Sequence, residues 1–173
     1  MVIAEALIQK LGLKPHKEGG WFAEVYRASE KLAAKALPPR YSGARSLSTA
    51  IYYLITPESF SRLHRLRSDE IFHFYLGDPV EFLLLAPEEK GAGRHGNGRT
   101  VTVGPDILAG QRPLLVVGRG TWQGARLVAG GKFALLGTTM APGFEYNDYE
   151  EGRRPELGAA FPAFEKIIGE LSS

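Results

Sequence analysis

The side chains best suited to chemistry crowd into residues 60–77. There His64, Glu70 and His73 lie close together, bracketed by Phe60, Leu66, Phe72 and Phe74 and closed by Gly77. A carboxylate beside an imidazole fixes its tautomer and stabilises the imidazolium, which suits a general base. His64 and Glu70 are therefore the candidate catalytic pair. On a strand, Glu70, Phe72 and Phe74 share one face while Ile71, His73 and Tyr75 share the other. His73 thus leaves the group unless a bulge intervenes. Arg62 shares the face of His64 and is the candidate contact for an anionic group such as a phosphate or carboxylate. Tyr52, Phe72, Phe74 and His73 offer aromatic surface, and Gln123 offers an amide to a bound hydroxyl, which completes the candidate ligand-binding set. Two readings of the His64–Glu70 pair stay open: proton transfer, or a buried structural hydrogen bond.

A series of short strands must position these residues. Residues 2–12 are predicted as a helix, with Ile3, Leu7, Ile8 and Leu11 at helical spacing and Gly12 as its cap. Residues 19–28 change to period two: Trp21, Ala23 and Val25 against Phe22, Glu24 and Tyr26, entered through Gly19-Gly20. Residues 29–44, interrupted by Pro38-Pro39, read as a surface loop. Residues 45–55 form a strand with Thr49, Ile51, Tyr53 and Ile55 on one face and Ala50, Tyr52 and Leu54 on the other. Further strands are predicted near 60–66, 70–77, 79–86, 99–103, 113–118, 121–128 and 132–141. Gly77-Asp78-Pro79 makes a tight link, residues 87–98 a polar glycine-rich loop, and Gly130-Gly131 a hairpin turn. A helix over 162–171 closes the chain, with Phe164, Ile167, Ile168 and Leu171 as its apolar stripe. No strand–helix–strand alternation occurs, so an antiparallel sandwich or barrel is expected, as one domain over residues 1–173.

Composition excludes several classes of chemistry. The chain has 173 residues and no cysteine, so thiol nucleophiles, disulfides and zinc–thiolate sites are ruled out. A net charge of +2 does not argue for a nucleic-acid surface. No apolar run reaches membrane-span length, and the N-terminus lacks the pattern of a signal peptide, so a cytoplasmic protein with no membrane partner is expected.

Taken together, the motifs resemble those of the cupin superfamily. The first cupin motif places two histidines, a glutamate and a glycine in order. Here His64 takes the first histidine position, Leu66 the second, and Glu70 and Gly77 follow at the family's spacing. The second motif falls on Gly118, Gly120 and Gln123, with Gly118 where the motif has proline and Gln123 where it has histidine. More narrowly, the stretches 16–27, 48–52, 68–79, 120–126 and 141–144 are similar to a single-domain cupin subfamily, although Lys17 stands where that subfamily usually has proline.

The resemblance implies an all-β jelly-roll barrel with short N- and C-terminal helices. It also implies a pocket among the strands that carry His64, Glu70 and Gln123. A typical cupin metal site uses three imidazoles and a carboxylate. Here only His64, Glu70 and Gln123 would remain as ligands, so no cofactor is expected, and a divalent metal at most weakly. Some metal-free cupins, the deoxysugar-nucleotide 3,5-epimerases, use a histidine near this position as base and a tyrosine as acid. Tyr52, Tyr53, Tyr75, Tyr146 and Tyr149 are the tyrosines on offer. The leading expectation is a cupin that binds a small polar or anionic, sugar-like or nucleotide-like molecule, as a metal-independent isomerase or epimerase with His64 as base. A non-catalytic binding or storage cupin is the alternative, and Leu66 and Gln123 disfavour a metal-dependent enzyme. A homodimer is expected, because pairing removes an exposed sheet edge.

Overall fold

The computed structural model describes residues 3–86 and 97–172. The glycine-rich loop expected at 87–98 lies outside these residues except for Asn97 and Gly98, which open a strand. Thirteen strands are described: β1 (Lys14–Pro15), β2 (Trp21–Arg27), β3 (Lys31–Leu32), β4 (Arg45–Ser46), β5 (Thr49–Ile55), β6 (Ser61–Leu66), β7 (Glu70–Gly77), β8 (Val80–Ala86), β9 (Asn97–Val103), β10 (Leu114–Val117), β11 (Trp122–Leu127), β12 (Ala134–Met140) and β13 (Tyr149–Glu151). Helix α1 (Ile3–Leu11) precedes them, and α2 (Arg154–Ala160) and α3 (Glu165–Glu170) follow. A six-stranded antiparallel sheet, β1-β2-β5-β12-β7-β10, faces a five-stranded one, β13-β6-β11-β8-β9. This is a jelly-roll barrel, as the sequence led us to expect.

Sequence pattern explains the layering. In β8, Val80, Phe82 and Leu84 point between the sheets, while Leu83 and Leu85 point outward under α2 and α3. Both faces of that strand are covered, so it reads as a continuous apolar run and not as an alternation. The inter-sheet core also takes Tyr53, Ile55, Phe72, Leu115, Val117 and Leu136. Helix α1 is only nine residues long and would be marginal alone. It persists because Ala4, Leu7, Ile8 and Leu11 dock on Trp21, Leu54, Phe133 and Leu135 of the six-stranded sheet.

The structure departs from the sequence-based expectation in several places. The strand expected over 45–55 is two strands broken at Leu47-Ser48, with β4 pairing to β3. Gly130-Gly131 is not a hairpin turn, because β11 and β12 belong to different sheets. It is a crossing between layers, as is Gly77-Asp78-Pro79, and Asp78 ties the two together by accepting from the backbone N–H of Lys132 (2.6 Å). Helix α2 was not legible, since its segment carries Gly158 and two alanines and has no apolar stripe of its own. Among the described residues no helix is long and apolar enough to cross a membrane.

Candidate functional site

Between the sheets lies a cavity of about 140 Å³. Its six-stranded wall carries Phe22, Glu24 and Arg27 of β2, Thr49, Ile51 and Tyr53 of β5, Glu70 and Phe72 of β7, and Thr138 and Met140 of β12. The five-stranded wall adds Ser61 and Leu66 of β6. His16 and Glu18, from the turn before β2, complete one side, and Phe144, Glu145 and Tyr146 the other.

Two bulges decide which side chains face this space. Between β2 and β5 the register slips at Val25: Glu24 pairs with Ile51, but Tyr26 pairs with Ala50. The extra residue turns Tyr26 out to solvent and brings Arg27 to the inner face, against the expectation that Glu24 and Tyr26 share a side. Arg27 is held there by Glu24 (2.8 Å) and Glu145 (2.9 Å). Between β6 and β11, His64 pairs with Gln123 and Ser61 with Ala125, so β6 spends one more residue than its partner. Ser61, His64 and Leu66 therefore face inward, while Leu63 turns out under the C-terminal helices. Arg62 is displaced with it. Its guanidinium donates to the Lys17 carbonyl (3.1 Å) and does not line the cavity, which corrects the expectation that it shares the face of His64.

At one end of the cavity is a buried polar network centred on His64 Nε2. The His64 ring is 2% exposed. Its Nδ1–H donates to the Arg62 carbonyl (2.7 Å), which leaves a lone pair on Nε2. The Gln123 amide N–H group donates to that lone pair (3.2 Å) and to Glu70 Oε2 (2.7 Å). Glu18 Oε2 approaches the same Nε2 at 3.5 Å and His16 Nδ1 at 3.6 Å. His16 Nδ1 already accepts from the Glu18 backbone N–H (3.3 Å), so it too presents a lone pair. A carboxylate facing two neutral ring nitrogens gains no donor from either, which disfavours its charged form. Burial acts in the same direction and raises the Glu18 pKa to about 8. Burial likewise raises Glu70 to about 7, with the His64 ring opposing the shift and Glu18 adding to it. Burial lowers both imidazoles, His16 to about 4, so both are neutral at pH 7. Tyr149 stacks on the His64 ring (centroids 5.5 Å), and the buried Tyr53 hydroxyl donates to the Gly19 carbonyl (2.9 Å).

The backbone explains why Glu18 can reach this point. Gly19 (φ +101°) and Gly20 (φ +68°) take conformations that side chains disfavour, and a Cβ on Gly19 would overlap the Phe60 carbonyl. The turn is pinned to β6 by the Arg62 N–H donating to the Glu18 carbonyl (2.8 Å).

Of the residues singled out from sequence, the structure brings His64, Glu70 and Gln123 together. Glu70 lines the cavity; His64 and Gln123 stand behind its wall. Phe72 lines it too, whereas Phe74 packs into the apolar core away from it. Tyr52 and His73 lie on the outer face, by plain strand alternation. Tyr52 packs on the α1 side and meets Tyr75 edge-on, and His73 Nε2 lies 3.3 Å from the Thr139 hydroxyl. Neither can touch a ligand in the cavity. Glu18, in a loop before β2, His16 and Tyr149 join the site, and none of the three belongs to the ligand set expected from sequence. Their signal was Gly19-Gly20, which lets a loop carboxyl fold inward.

The donor set does not fit the metal centre typical of the fold. Leu66 carries no ligand atom, and Gln123 turns its N–H groups onto the lone pairs of His64 and Glu70 that a metal would need. Among the described residues, no group of three or more His, Cys, Asp or Glu side chains could hold a metal ion.

Fold and site together define a jelly-roll barrel with a pocket between its sheets, bordered by a buried His–Gln–Glu network. Residues 5–151 match the family described as Cupin superfamily (DUF985), and the chain belongs to that family. It is 27% identical over 154 residues to an uncharacterized protein of Saccharomyces cerevisiae, covering 84% of this chain and 73% of that protein. A hypothetical protein from Leishmania major has a solved structure that superposes with a TM-score of 0.84 at 31% identity, covering 98% of both chains. A protein from Shewanella oneidensis superposes at 0.83 with 29% identity, covering 100% of this chain and 99% of that one.

Proposed function

We propose that this cupin binds a small polar molecule in the inter-sheet cavity and moves a proton on it without a metal, as an isomerase or epimerase does. One observation carries the reading: two buried carboxyl groups line one largely apolar cavity, Glu18 facing His64 at 3.5 Å and Glu70 joined to the same ring through the Gln123 amide, and burial raises the pKa of both toward neutrality. With both carboxyls raised toward neutrality by burial, a pair that shares one proton near pH 7 supplies an acid and a base in the same cavity. These two groups meet the ligand. His64, fixed as the Nδ1–H tautomer, accepts from Gln123, with Glu18 facing the same nitrogen at 3.5 Å, and sets the proton balance between the carboxyls; it is a positioning residue, not the contacting base. The cavity is about the size that admits a single six-membered ring, and Phe22 and Phe72 give that ring an apolar wall. The cation lining the cavity, Arg27, is engaged by two glutamates, which favours a neutral ligand over an anionic one. The protein is further proposed to act as a homodimer.

The test is hydrogen exchange at carbon. Small hydroxyketones and keto-sugars are incubated with the protein in D2O, and the signal of the hydrogen beside the carbonyl is followed by proton NMR. Enzyme-dependent loss of that signal is expected, with Glu70→Gln retaining binding and losing exchange. A non-catalytic binding cupin is the second reading, favoured by the position of His64 behind the cavity wall. Saturable binding in the cavity without exchange would establish it.

A further inference from the structure

A second concave surface lies on the far side of Leu66 and Tyr149 from the cavity, and its character is the opposite. Arg40, Arg65, Arg67 and Arg119 line it together with Asp148 and Glu150. The two carboxylates are already engaged. Asp148 is taken by the buried Arg45 (2.6 Å), and Glu150 by Arg65 (2.8 Å). Asp69, two residues after Arg67, accepts from the backbone N–H of Arg119 (2.7 Å). Among the described residues no carboxylate stands within ion-pair distance of Arg40, Arg67 or Arg119.

Two of these side chains are tied to each other's backbone. Arg40 Nε donates to the Arg67 carbonyl (3.0 Å), and Arg67 Nη1 donates to the Arg40 carbonyl. Each guanidinium is thus fixed beside the other's backbone, and the Arg40 group also lies over the Tyr41 ring (4.7 Å). The Tyr41 hydroxyl is in turn within 2.8 Å of the Ser68 hydroxyl, which anchors both loops. Fixed guanidinium groups without a carboxylate partner suit an anion, and their planar forks match phosphoryl oxygens two at a time.

We propose that the groove of Arg40, Arg67 and Arg119 is an oxyanion site for a phosphoryl group. It is separate from the cavity and independent of the reaction assigned to it. Its back wall reaches the proton network: Tyr149 pairs with Leu66 across β13–β6 and stacks on His64.

The probe is inorganic pyrophosphate, titrated at constant ionic strength against sodium chloride and read by two-dimensional nitrogen–proton NMR. Saturable shifts are expected at the guanidinium Nε–H signals of Arg40, Arg67 and Arg119 and at the Gly120 and Tyr149 amides. Arg67→Ala should weaken binding about tenfold or more. Arg119→Gln, on an exposed side chain whose loss cannot disturb the fold, should do the same. Arg126→Ala, whose guanidinium is tied to Glu81 and Glu170, should change nothing. Shifts spread over all surface arginines, shifts centred on Arg27, or an affinity insensitive to Arg119→Gln would each overturn the proposal.

Discussion

Glu18 is the residue on which the behaviour of the site turns, because its carboxyl sits between two imidazole lone pairs. Its pKa rises on folding from an ordinary 4.5 to about 8, so the native state keeps a proton that the unfolded chain gives up. The stability from this group is full below about pH 4.5 and is lost as pH climbs toward 8. Glu70 does the same toward 7. His16 has the opposite sign: with its pKa depressed to about 4, the protein loses stability as pH falls below 6.5. The two trends oppose each other between pH 4.5 and 6.5, and above that only the carboxyl trend remains. Between pH 7 and 8 we expect unfolding free energy to drop by up to ~1.4 kcal/mol per pH unit, from Glu18 alone. Glu18→Gln keeps a neutral donor between the two rings, and its stability should be nearly flat over that range. Urea unfolding at several pH values decides this, and an equal slope in both proteins would mean that Glu18 ionises freely.

At the scale of elements, the site depends on a turn and two bulges. Gly19→Ala forces a side chain into a positive-φ position against the Phe60 carbonyl. We expect a loss of roughly 1–3 kcal/mol and a Glu18 pKa that relaxes toward 4.5, read by carboxyl carbon NMR. A Glu18 pKa still near 8 would show that the turn does not place the carboxyl. The buried Arg45–Asp148 pair (2.6 Å) fixes the start of β13, and so the Tyr149 ring over His64. Asp148→Ala strands the arginine and should cost about 3–5 kcal/mol. The apolar double replacement Arg45→Met with Asp148→Leu should recover much of that, and urea unfolding of both proteins checks it. These devices mark the limit of what the sequence discloses. Alternation placed His73 opposite Glu70 correctly, and the cupin motifs located His64, Glu70 and Gln123. A bulge, however, adds one residue without any compositional mark. Arg62 and Tyr26 were therefore assigned to the wrong face, while Arg27 went unnoticed. Glu18 lies in a loop, where no periodicity exists to announce burial.

At the scale of the whole molecule, the helices cover the two sheets unequally. Helix α1 screens the outer face of the six-stranded sheet at Leu54 and Leu135 but leaves the β7–β10 end bare. There Tyr75, Leu114 and Val116 are each about half exposed. Strand β10 is also the last in its sheet and has the sequence Leu114-Leu115-Val116-Val117, with neither lysine nor proline to blunt it. Its inward residues, Leu115 and Val117, belong to the core, so the outward pair is surplus to folding. An apolar terminal strand of this kind invites pairing with another chain. A second copy related by a two-fold axis is the occupant that closes the edge without leaving a further one open. The proposed homodimer should therefore use this end of the sheet. Sedimentation velocity at micromolar protein should give a dimer, and Val116→Lys should shift it toward monomer with little effect on unfolding of the chain, because the side chain lies outside the core. A wild-type monomer under those conditions would remove the proposal. A dimer indifferent to Val116→Lys would move the interface to another face.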